Sequence, residues 1–365
     1  MTERRPKLVA LGLVLVCVLA VLWAARASRQ DRVHRETLYV FGTLVEVEIR
    51  GEDTDRAQAA TAAVGRLLQS LHEDWHAWRP GLLGDLNTAI AEGRGLTVDD
   101  RLAGVLRDGR RLSCESGGLF DPAIGGLIGL WGFHADTPPT GAPPSADRVA
   151  ALVAARPRMT DLRIDGARIS STNPAVQLDL GGFAKGAALD LAAAELQAMG
   201  IENAVLNAGG DVNVLGTHGD RPWRVAIRDP FVWGAVAAIA LRPGEVLYTS
   251  GNYERYFEHE GERFAHIIDP RTGYPVREIV SVSVLDTNGA RADAAATALS
   301  VAGTQGWAEV AVAMGVQGVL MITDSGALLA TPQMMQRLEP VGDAFPAPVE
   351  VVPLPAGVPA PSCGE

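Results

Sequence analysis

The chain has 365 residues, of which 47% are hydrophobic; this proportion is ordinary for a globular protein and excludes wholesale disorder. Only one long apolar run is present, which excludes a polytopic membrane protein. The formal net charge is −11, from 43 acidic and 32 basic side chains, and this acidic balance disfavours a nucleic-acid partner. The length allows two average domains or one large one.

The N-terminus has the order of basic, apolar and small residues that is typical of an export signal. Residues 1–7 are basic, residues 8–25 carry no charge, and Ala-Arg-Ala at 25–27 loosely fits a signal-peptidase site. A helix over 8–25 would span about 27 Å, just enough for a bilayer core. We therefore expect a cleaved signal or a transmembrane anchor in the inner membrane, a linker at 26–36, and a body on the periplasmic side.

The body is predicted at 37–339, and it alternates strand-like and helix-like patterns without a repeat. The pattern predicts two short strands around Phe-Gly-Thr at 41–43. Helical spacing predicts helices at 57–71, 102–116, 187–199, 292–301 and 307–314. Short apolar runs predict strands at 204–206, 212–215, 223–227, 236–241, 246–248, 279–285 and 319–322, the last of these being the final core strand. We expect a surface loop at 137–146.

This uneven order does not fit a regular βαβ series. It favours an α+β fold with mixed or antiparallel sheets, flanking helices, and a cofactor cleft between two lobes.

The C-terminal segment and the cysteines give two negative expectations. Residues 340–365 are rich in Pro and Ala, and we expect an extended tail that neither pairs in a sheet nor continues a helix. Cys17 lies in the apolar run, Cys114 in a predicted helix and Cys363 in the tail, without any CxxC pair. We therefore expect neither a disulfide framework nor a zinc site.

Four glycine-rich polar segments interrupt the apolar pattern of the body. They lie at 116–122, followed by 124–127 and 131–133; at 178–186; at 207–211; and at 249–253, followed by 266–273. A single glycine pair more often marks a tight turn or close packing than a ligand site. Four such places in one domain favour a large ligand that the backbone approaches closely.

The second segment has the features of an anion site. Asp179 and the pair Gly181-Gly182 come directly before a predicted helix, whose N-terminus would present free N–H groups and the positive end of its dipole. Lys185 would add a full positive charge there. A solvated lysine and a capping aspartate explain these residues equally well. No Walker A or GxGxxG motif is present, which disfavours the common nucleotide-binding folds.

Two further candidates carry acid–base or metal chemistry. Asp293 and Thr297 are four residues apart, so a helix places them on one face, and a carboxylate with a hydroxyl suits Mg²⁺. An exposed Asp beside a Thr bonded to the helix backbone is the simpler alternative. His266 precedes a turn-rich segment; a lone His is more often structural, but imidazole titrates near neutrality and can serve as a base.

In this order, the segments resemble the ApbE family of FAD:protein FMN transferases. The resemblance extends over residues 39–323. Its seven blocks lie at 41–43, 118–121, 179–186, 207–210, 249–251, 266–273, and 293 with 297.

The resemblance implies a Mg²⁺-dependent transfer of FMN from FAD to a Ser or Thr of an acceptor flavoprotein, with release of AMP; the acceptor would be a redox subunit or another exported protein. It implies FAD contacts from Phe41, Trp78, Leu119, Phe120, Asp121, Asp179, Lys185 and Ile268. The metal ligands would be the carbonyl of Gly182 and the side chains of Asp293 and Thr297. His266 would activate the acceptor hydroxyl.

Two departures from the family pattern and two alternative functions accompany this resemblance. Ala295 stands where relatives have a bulkier residue between the metal Asp and Thr, and the segment 79–87 lacks the usual polar stretch. A Mg²⁺-dependent FAD pyrophosphatase would use nearly the same site. A periplasmic flavin-binding protein without turnover would not need a metal or a base.

Overall fold

The fold was analysed in a computed structural model, which describes residues 32–135, 137, 139–358 and 363. The predicted segments 1–7 and 8–25, and most of the linker at 26–36, lie outside the described residues. Within the described part, no helix combines the length and apolar character needed to cross a bilayer. The first strand begins at Val33, a few residues before the predicted start of the body.

The described residues form helices α1–α8 and strands β1–β17. The helices are, in chain order, Thr54–Asp74, Leu82–Ala91, Asp100–Glu115, Gly125–Leu130, Ala146–Ala154, Ala184–Ala198, Gly289–Ala313 and Pro332–Met335. The strands are Val33–Val40, Thr43–Arg50, Leu96–Thr97, Leu162–Asp165, Arg168–Ser171, Asn203–Ala208, Asp211–Leu215, Trp223–Arg228, Ala235–Leu241, Val246–Gly251, Tyr256–His259, Glu262–Ala265, Ile279–Asp286, Gly318–Thr323, Leu328–Ala330, Leu338–Pro340 and Val349–Val351.

The centre of the fold is a large sheet with the order β1-β2-β6-β7-β10-β13-β14-β15-β17. Its neighbouring strands are antiparallel except β15 and β17, which are parallel. The turns at 41–42 and 209–210 and the end of β10 at Gly251 therefore lie at one end of the sheet, which we call the loop end. Val33 and Asn203 lie at the opposite end, which we call the Val33 end.

Side chains alternate across this sheet, and each face is covered by a different layer. On β10, Val246 and Tyr248 face the core shared with the helices, whereas Leu247 faces a second core. Helices α6 and α7 pack on the first face. The small sheet β16-β9-β8 covers the second face. This alternation is the period of two expected for strands that are buried on both faces.

A separate small core joins α4, α5 and the hairpin β11–β12. It contains Trp131, Phe133, Phe257, Phe264 and Ile268 among its buried members. The ring nitrogen Nε1 of Trp131 donates to the carbonyl of Gly273 at 2.7 Å, which satisfies its polar atom. The mixed α+β fold is confirmed; the finer expectation of a cofactor cleft between two lobes stays a prediction.

Most of the predicted elements are present, with ends that differ by a few residues. The two helices predicted at 292–301 and 307–314 form the single helix α7, which is interrupted at Gly303, where φ is +68°. Only glycine adopts such a backbone at little cost, so the glycine at position 303 accounts for the break in the helix. The strand at 319–322 was not the final core strand, because β15 follows it and is buried. Helices α2, α4, α5 and α8 and the hairpins β4–β5 and β11–β12 are among the elements that were not predicted.

The expectation of a tail without strand pairing and the expectation of no disulfide were both wrong. Val349–Val351 forms β17 and pairs with β15, because the apolar-polar-apolar triplet lies between prolines and an edge strand needs ladder hydrogen bonds on one side only. Cys363 forms a disulfide with Cys114, with 5.7 Å between their Cα atoms, although 249 positions separate them in the sequence. Separation along the chain therefore did not indicate separation in space. The bond fastens the end of the chain to the last turn of α3.

We predict that Cys363→Ser destabilises the full chain by about 2–5 kcal/mol, because the disulfide restricts the unfolded ensemble by closing a long loop. The measurement is thermal unfolding with and without a reductant. Reductant should lower the midpoint of the unmodified protein and leave that of the variant unchanged. An oxidised protein and a variant with equal midpoints would contradict this role of the disulfide.

Candidate active site

The candidate site is built on the contact between the N-termini of α6 and α7. Gly186 lies so close to the backbone of Gly289 that a Cβ on it would sit 2.2 Å from the Gly289 carbonyl oxygen. Asp293 Oδ2 on α7 accepts from the backbone N–H of Gly186 at 3.0 Å. In return, Asp190 on α6 accepts from the N–H groups of Gly289 and Ala290 at 3.0 and 3.1 Å. Each helix therefore supplies the carboxylate that caps the other.

This crossing brings together the three predicted metal ligands. Thr297 Oγ1 donates to the carbonyl oxygen of Gly182 at 3.4 Å, and Asp293 lies one helical turn before Thr297. Ser250 Oγ at the end of β10 lies 3.4 Å from the same Thr297 oxygen. The spacing of four residues thus does place Asp293 and Thr297 on one face of α7, and that face meets the glycine turn before α6.

The charged groups around this oxygen cluster are largely buried, and the negative ones outnumber the positive one. Burial raises the pKa of Asp293 to about 8, against the opposing effect of Lys185. Burial lowers the pKa of Lys185, but the carboxylates of Asp211 and Asp293 outweigh it, and the ammonium stays charged. Lys185 forms an ion pair with Asp211, whose Oδ1 also accepts from the N–H of Thr249 at 2.9 Å. The site therefore holds more buried carboxylate than its lysine compensates.

The donor set fits a hard divalent cation. A carbonyl, a carboxylate and a hydroxyl are all oxygen ligands of the kind that Mg²⁺ prefers, with water and substrate oxygens completing six-coordination. A cation would also supply the positive charge that buried Asp293 lacks. Among the described residues, no three His, Cys, Asp or Glu side chains form a metal-binding group, so the protein alone offers a sparse site.

A second cluster surrounds Asp179. Its Oδ1 accepts from the N–H of Gly181 at 2.7 Å, so it shapes the glycine turn and does not cap the helix. Its Oδ2 lies 2.8 Å from His134 Nε2. Burial raises the pKa of Asp179, but the bond to His134 and the charge of Arg255 outweigh it, and the net pKa is lowered. Trp78 stacks on the His134 ring, with centroids 4.9 Å apart and planes 17° apart.

The turn at 41–42 places Phe41 near this aromatic group. Phe41 has a φ of +53° and Gly42 a φ of +72°, the left-handed pair that a tight hairpin needs. A bulky residue at positive φ is uncommon and is favoured at functional positions. The centroid of the Phe41 ring lies 5.6 Å from that of His72, and further ring contacts join His72 to His76 and His76 to Trp78. These half-buried aromatic rings could hold a planar ligand.

The loop at 116–121 supports the site from behind. Ser116 Oγ accepts from the N–H of Phe120 at 3.1 Å, and the Phe120 ring packs on Phe183 and faces Gly182. Asp121 Oδ1 accepts from the N–H of Ala123 at 3.0 Å and of Met159 at 3.1 Å. Phe120 and Asp121 are buried. Their side chains are thus committed to the fold, so any contact with a ligand would come from the backbone of this loop, where Leu119 is half-buried.

His266 directly follows β12, and one of its ring nitrogens is hydrogen-bonded to the backbone. Its Nδ1 is 3.1 Å from the backbone carbonyl of Arg255, which can only accept, so Nδ1 carries the proton. Nε2 then holds a lone pair. Burial and the charge of Arg255 lower the pKa of His266 to about 4, so the ring is neutral at pH 7. Ile268, two residues later, is buried in the small core and offers little surface to a ligand.

The structure thus gathers Gly182, Lys185, Asp293 and Thr297 at one crossing, and Trp78 with Asp179 beside it. Four contributors were not predicted: His134, Asp190, Asp211 and Ser250. Asp211 and Ser250 do belong to two of the glycine-rich polar segments, so the signal was available for them. His134 and Asp190 carry no local pattern that separates them from other helical or loop residues.

We predict that Asp121 makes the unfolding free energy fall as pH rises from about 4 to about 6. Burial raises the pKa of Asp121 to about 6 from the 3.8 of an exposed aspartate, so the folded state holds this proton where the unfolded state has lost it. The cost at neutral pH is about 3 kcal/mol at 1.36 kcal/mol for each pKa unit.

Asp121→Asn mimics the protonated acid, since its amide can donate to Ser113 Oγ, which lies 3.0 Å from Asp121 Oδ2. Denaturant unfolding of both proteins at pH 4 and pH 7.5 should show the variant gaining stability relative to the parent at the higher pH. Asp108→Asn, on the exposed face of α3, is the charge-matched control. A constant difference between variant and parent at both pH values would contradict the assignment.

Comparison with known proteins is consistent with this geometry. The model of the ApbE family matches residues 41–320. An FAD:protein FMN transferase of Rhodobacter capsulatus is 58% identical over 356 residues, covering 98% of this chain and 67% of that relative. An FAD:protein FMN transferase of Vibrio cholerae serotype O1 is 33% identical over 267 residues, covering 72% of this chain and 79% of that relative.

Two solved structures share the fold over most of the chain. The ApbE protein of Thermotoga maritima superposes with a TM-score of 0.76 at 27% identity, covering 84% of this chain and 99% of that one. The flavin transferase ApbE of Vibrio cholerae gives 0.74 at 28% identity, covering 84% and 99%. The resemblance seen in the ordered motifs is confirmed, and this chain belongs to the ApbE family.

Proposed function

We propose that the protein transfers FMN from FAD to a Ser or Thr hydroxyl of an acceptor protein, with Mg²⁺ bound and with release of AMP. The observation that carries the proposal is the meeting of Gly182, Asp293 and Thr297 beside the Lys185–Asp211 ion pair. The chain is 58% identical to an FAD:protein FMN transferase, which supports the same substrate. The proposed FAD contacts are Phe41, Trp78, Leu119, Phe120, Asp121, Asp179, Lys185 and Ile268, of which the buried Phe120, Asp121 and Ile268 would contribute backbone atoms.

Transfer requires one bond to form at phosphorus and one to break. The acceptor oxygen bonds to the phosphorus that carries riboflavin, the bridging P–O bond breaks, and AMP leaves with the bridging oxygen and added negative charge. Mg²⁺ held by Gly182, Asp293 and Thr297 would neutralise charge on the diphosphate. Lys185, which stays charged beside Asp211, contributes a second positive group at the N-terminus of α6.

His266 is proposed to receive the acceptor proton. Its Nδ1–H is bound to the Arg255 carbonyl, so Nε2 is the nitrogen that accepts. With a pKa of about 4 it is a weaker base than free imidazole, because burial and Arg255 disfavour the charged ring. A negatively charged diphosphate nearby would raise that pKa towards the neutral range in which a general base is most effective.

We also propose that the protein works outside the cytoplasm, anchored in the inner membrane by residues 8–25, on an acceptor that is a redox subunit or another exported flavoprotein. The N-terminal order of basic, apolar and small residues supports export. The disulfide between Cys114 and Cys363 supports an oxidising compartment, since such bonds rarely persist in the cytosol.

The test of the function is to incubate the purified full chain with FAD, Mg²⁺ and Ser- or Thr-containing acceptors. Mass spectrometry of the acceptor and an AMP assay give the result. An FMN adduct on a hydroxyl, with equimolar AMP, is expected. Free FMN with AMP would show a pyrophosphatase instead, and intact FAD would show a flavin-binding protein.

In that assay, we predict that Asp293→Asn lowers turnover by about 100-fold or more, because it removes the only carboxylate of the proposed metal site. Asn keeps an oxygen for the N–H of Gly186, so the cap on α6 survives. FAD binding, measured by fluorescence titration, should change little. Asp220→Asn removes one exposed charge elsewhere and is the control. Full turnover in Asp293→Asn would remove the metal assignment.

We predict that His266→Ala slows transfer by about 10²–10⁴-fold while FAD binding changes only slightly, as expected for loss of a proton acceptor. Single-turnover transfer and FAD titration separate the two effects. Equal losses of transfer and binding would assign His266 a structural role.

A further inference from the structure

The turn between β8 and β9 presents three large apolar side chains to solvent. The exposed fractions are 54% for Phe231, 65% for Val232 and 96% for Trp233. Trp233 is the most exposed large apolar side chain among the described residues. We call residues 231–233 the apolar tip. Adjacent exposed groups of this size mark interaction sites, because a monomer gains nothing by leaving them in water.

The tip is held in a defined conformation. Asp229 is buried, and its Oδ1 accepts from the N–H groups of Phe231 at 2.8 Å and Val232 at 3.2 Å. Its own N–H donates to the carbonyl of Gly234 at 3.1 Å, which closes the turn. An aspartate that binds the following backbone in this way fixes a turn. The apolar side chains are therefore displayed by a built turn, which lowers the entropy lost on binding.

The hairpin places the tip at the loop end of the large sheet. β8 begins at Trp223, whose Nε1 donates to the carbonyl of Leu215 at 3.1 Å at the Val33 end. β8 finishes at Arg228, whose guanidinium lies 5.5 Å from the centre of the Tyr253 ring. Tyr253 packs against Gly251, the residue after Ser250. A continuous series of contacts thus joins the stem of the tip to Thr297.

Such a tip could bind either a membrane or a protein, and the fold favours a protein. The chain preceding Val33 enters at the end of the sheet opposite the tip, so an anchor there would hold the tip away from the bilayer. The net charge of −11 also disfavours an anionic lipid surface. The occupant that must reach Thr297 and His266 is the protein that carries the acceptor hydroxyl.

We infer that the apolar tip is the docking element for the acceptor protein, binding a large apolar side chain near the acceptor Ser or Thr. This inference rests on the proposed function. Trp233 is its central contact, since an exposed Trp that becomes buried typically dominates the energy of an interface. The tip selects the acceptor and takes no part in binding FAD or in the chemical step.

The test uses the full chain in detergent with FAD, Mg²⁺ and a synthetic peptide library. Each peptide is about 20 residues long and carries one central Thr among randomised residues. With the Thr at the hydroxyl site, an extended peptide of this length reaches well beyond that site on both sides. Sequencing of the flavin-bearing peptides by mass spectrometry should show an enriched large apolar residue at a preferred distance from the Thr.

Trp233→Ser should remove most of that enrichment and raise the KM of a selected peptide about tenfold. Its kcat and FAD affinity should stay within about twofold of the parent. Val351→Ser, at 44% exposure on β17 at the edge of the large sheet, is the matched control and should leave selection unchanged. Unchanged enrichment in Trp233→Ser, or a loss of kcat or FAD binding instead, would overturn the docking role.

Two other outcomes separate the alternatives. If the unmodified protein binds FAD but flavinylates no peptide, the proposed function fails and the docking role fails with it. The membrane alternative is tested by placing the protein in phosphatidylcholine nanodiscs with brominated acyl chains, which quench the fluorescence of Trp side chains that enter the bilayer. The contribution of Trp233 is the part of the quenching that is absent in Trp233→Phe. Quenching of Trp233 by the brominated lipid would assign the tip to the bilayer and overturn the inference.

Discussion

The site depends on two helices that cap each other. Asp293 of α7 binds the N-terminus of α6, and Asp190 of α6 binds the N-terminus of α7. The arrangement is possible because Gly186 has no Cβ and lets the backbone of Gly289 approach closely. An unpaired helix N-terminus buried in a core would be costly. The same bonds that stabilise the crossing therefore fix the position of Asp293 one helical turn before Thr297, whose hydroxyl donates to the Gly182 carbonyl, so the fold and the proposed chemistry share one set of contacts.

This sharing explains the electrostatic character of the site. Asp293, Asp211 and Lys185 are grouped where water is largely excluded, and one lysine does not neutralise both carboxylates in full. A buried carboxylate without compensation raises its pKa or binds a cation. The diphosphate of a substrate would bring further negative charge, and a divalent ion bound between it and Asp293 would compensate both. If the proposed function is right, we expect the metal and the substrate to bind together more strongly than either one alone.

The sequence predicted those parts of the molecule whose signals are local. The spacing of Asp293 and Thr297 predicted a shared helical face, and the glycines at 181–182 predicted the turn before α6. Contacts that form only in the folded chain were missed: Asp211 meets Lys185 from β7, and His134 reaches Asp179 from a loop. The prediction for the tail failed for the same reason. It rested on the local effect of the prolines, whereas the pairing of β17 and the disulfide of Cys363 depend on distant partners.

In the proposed mechanism, Asp293, Thr297 and the Gly182 carbonyl hold a divalent ion against the diphosphate of FAD. The most direct measurement is a crystal structure of the full chain with FAD and Mn²⁺, located by anomalous scattering. We expect an anomalous peak within about 2.5 Å of oxygens from all three residues and from the diphosphate, allowing for the slightly longer bonds of Mn²⁺ than of Mg²⁺. A metal bound elsewhere, or a diphosphate remote from this crossing, would contradict it.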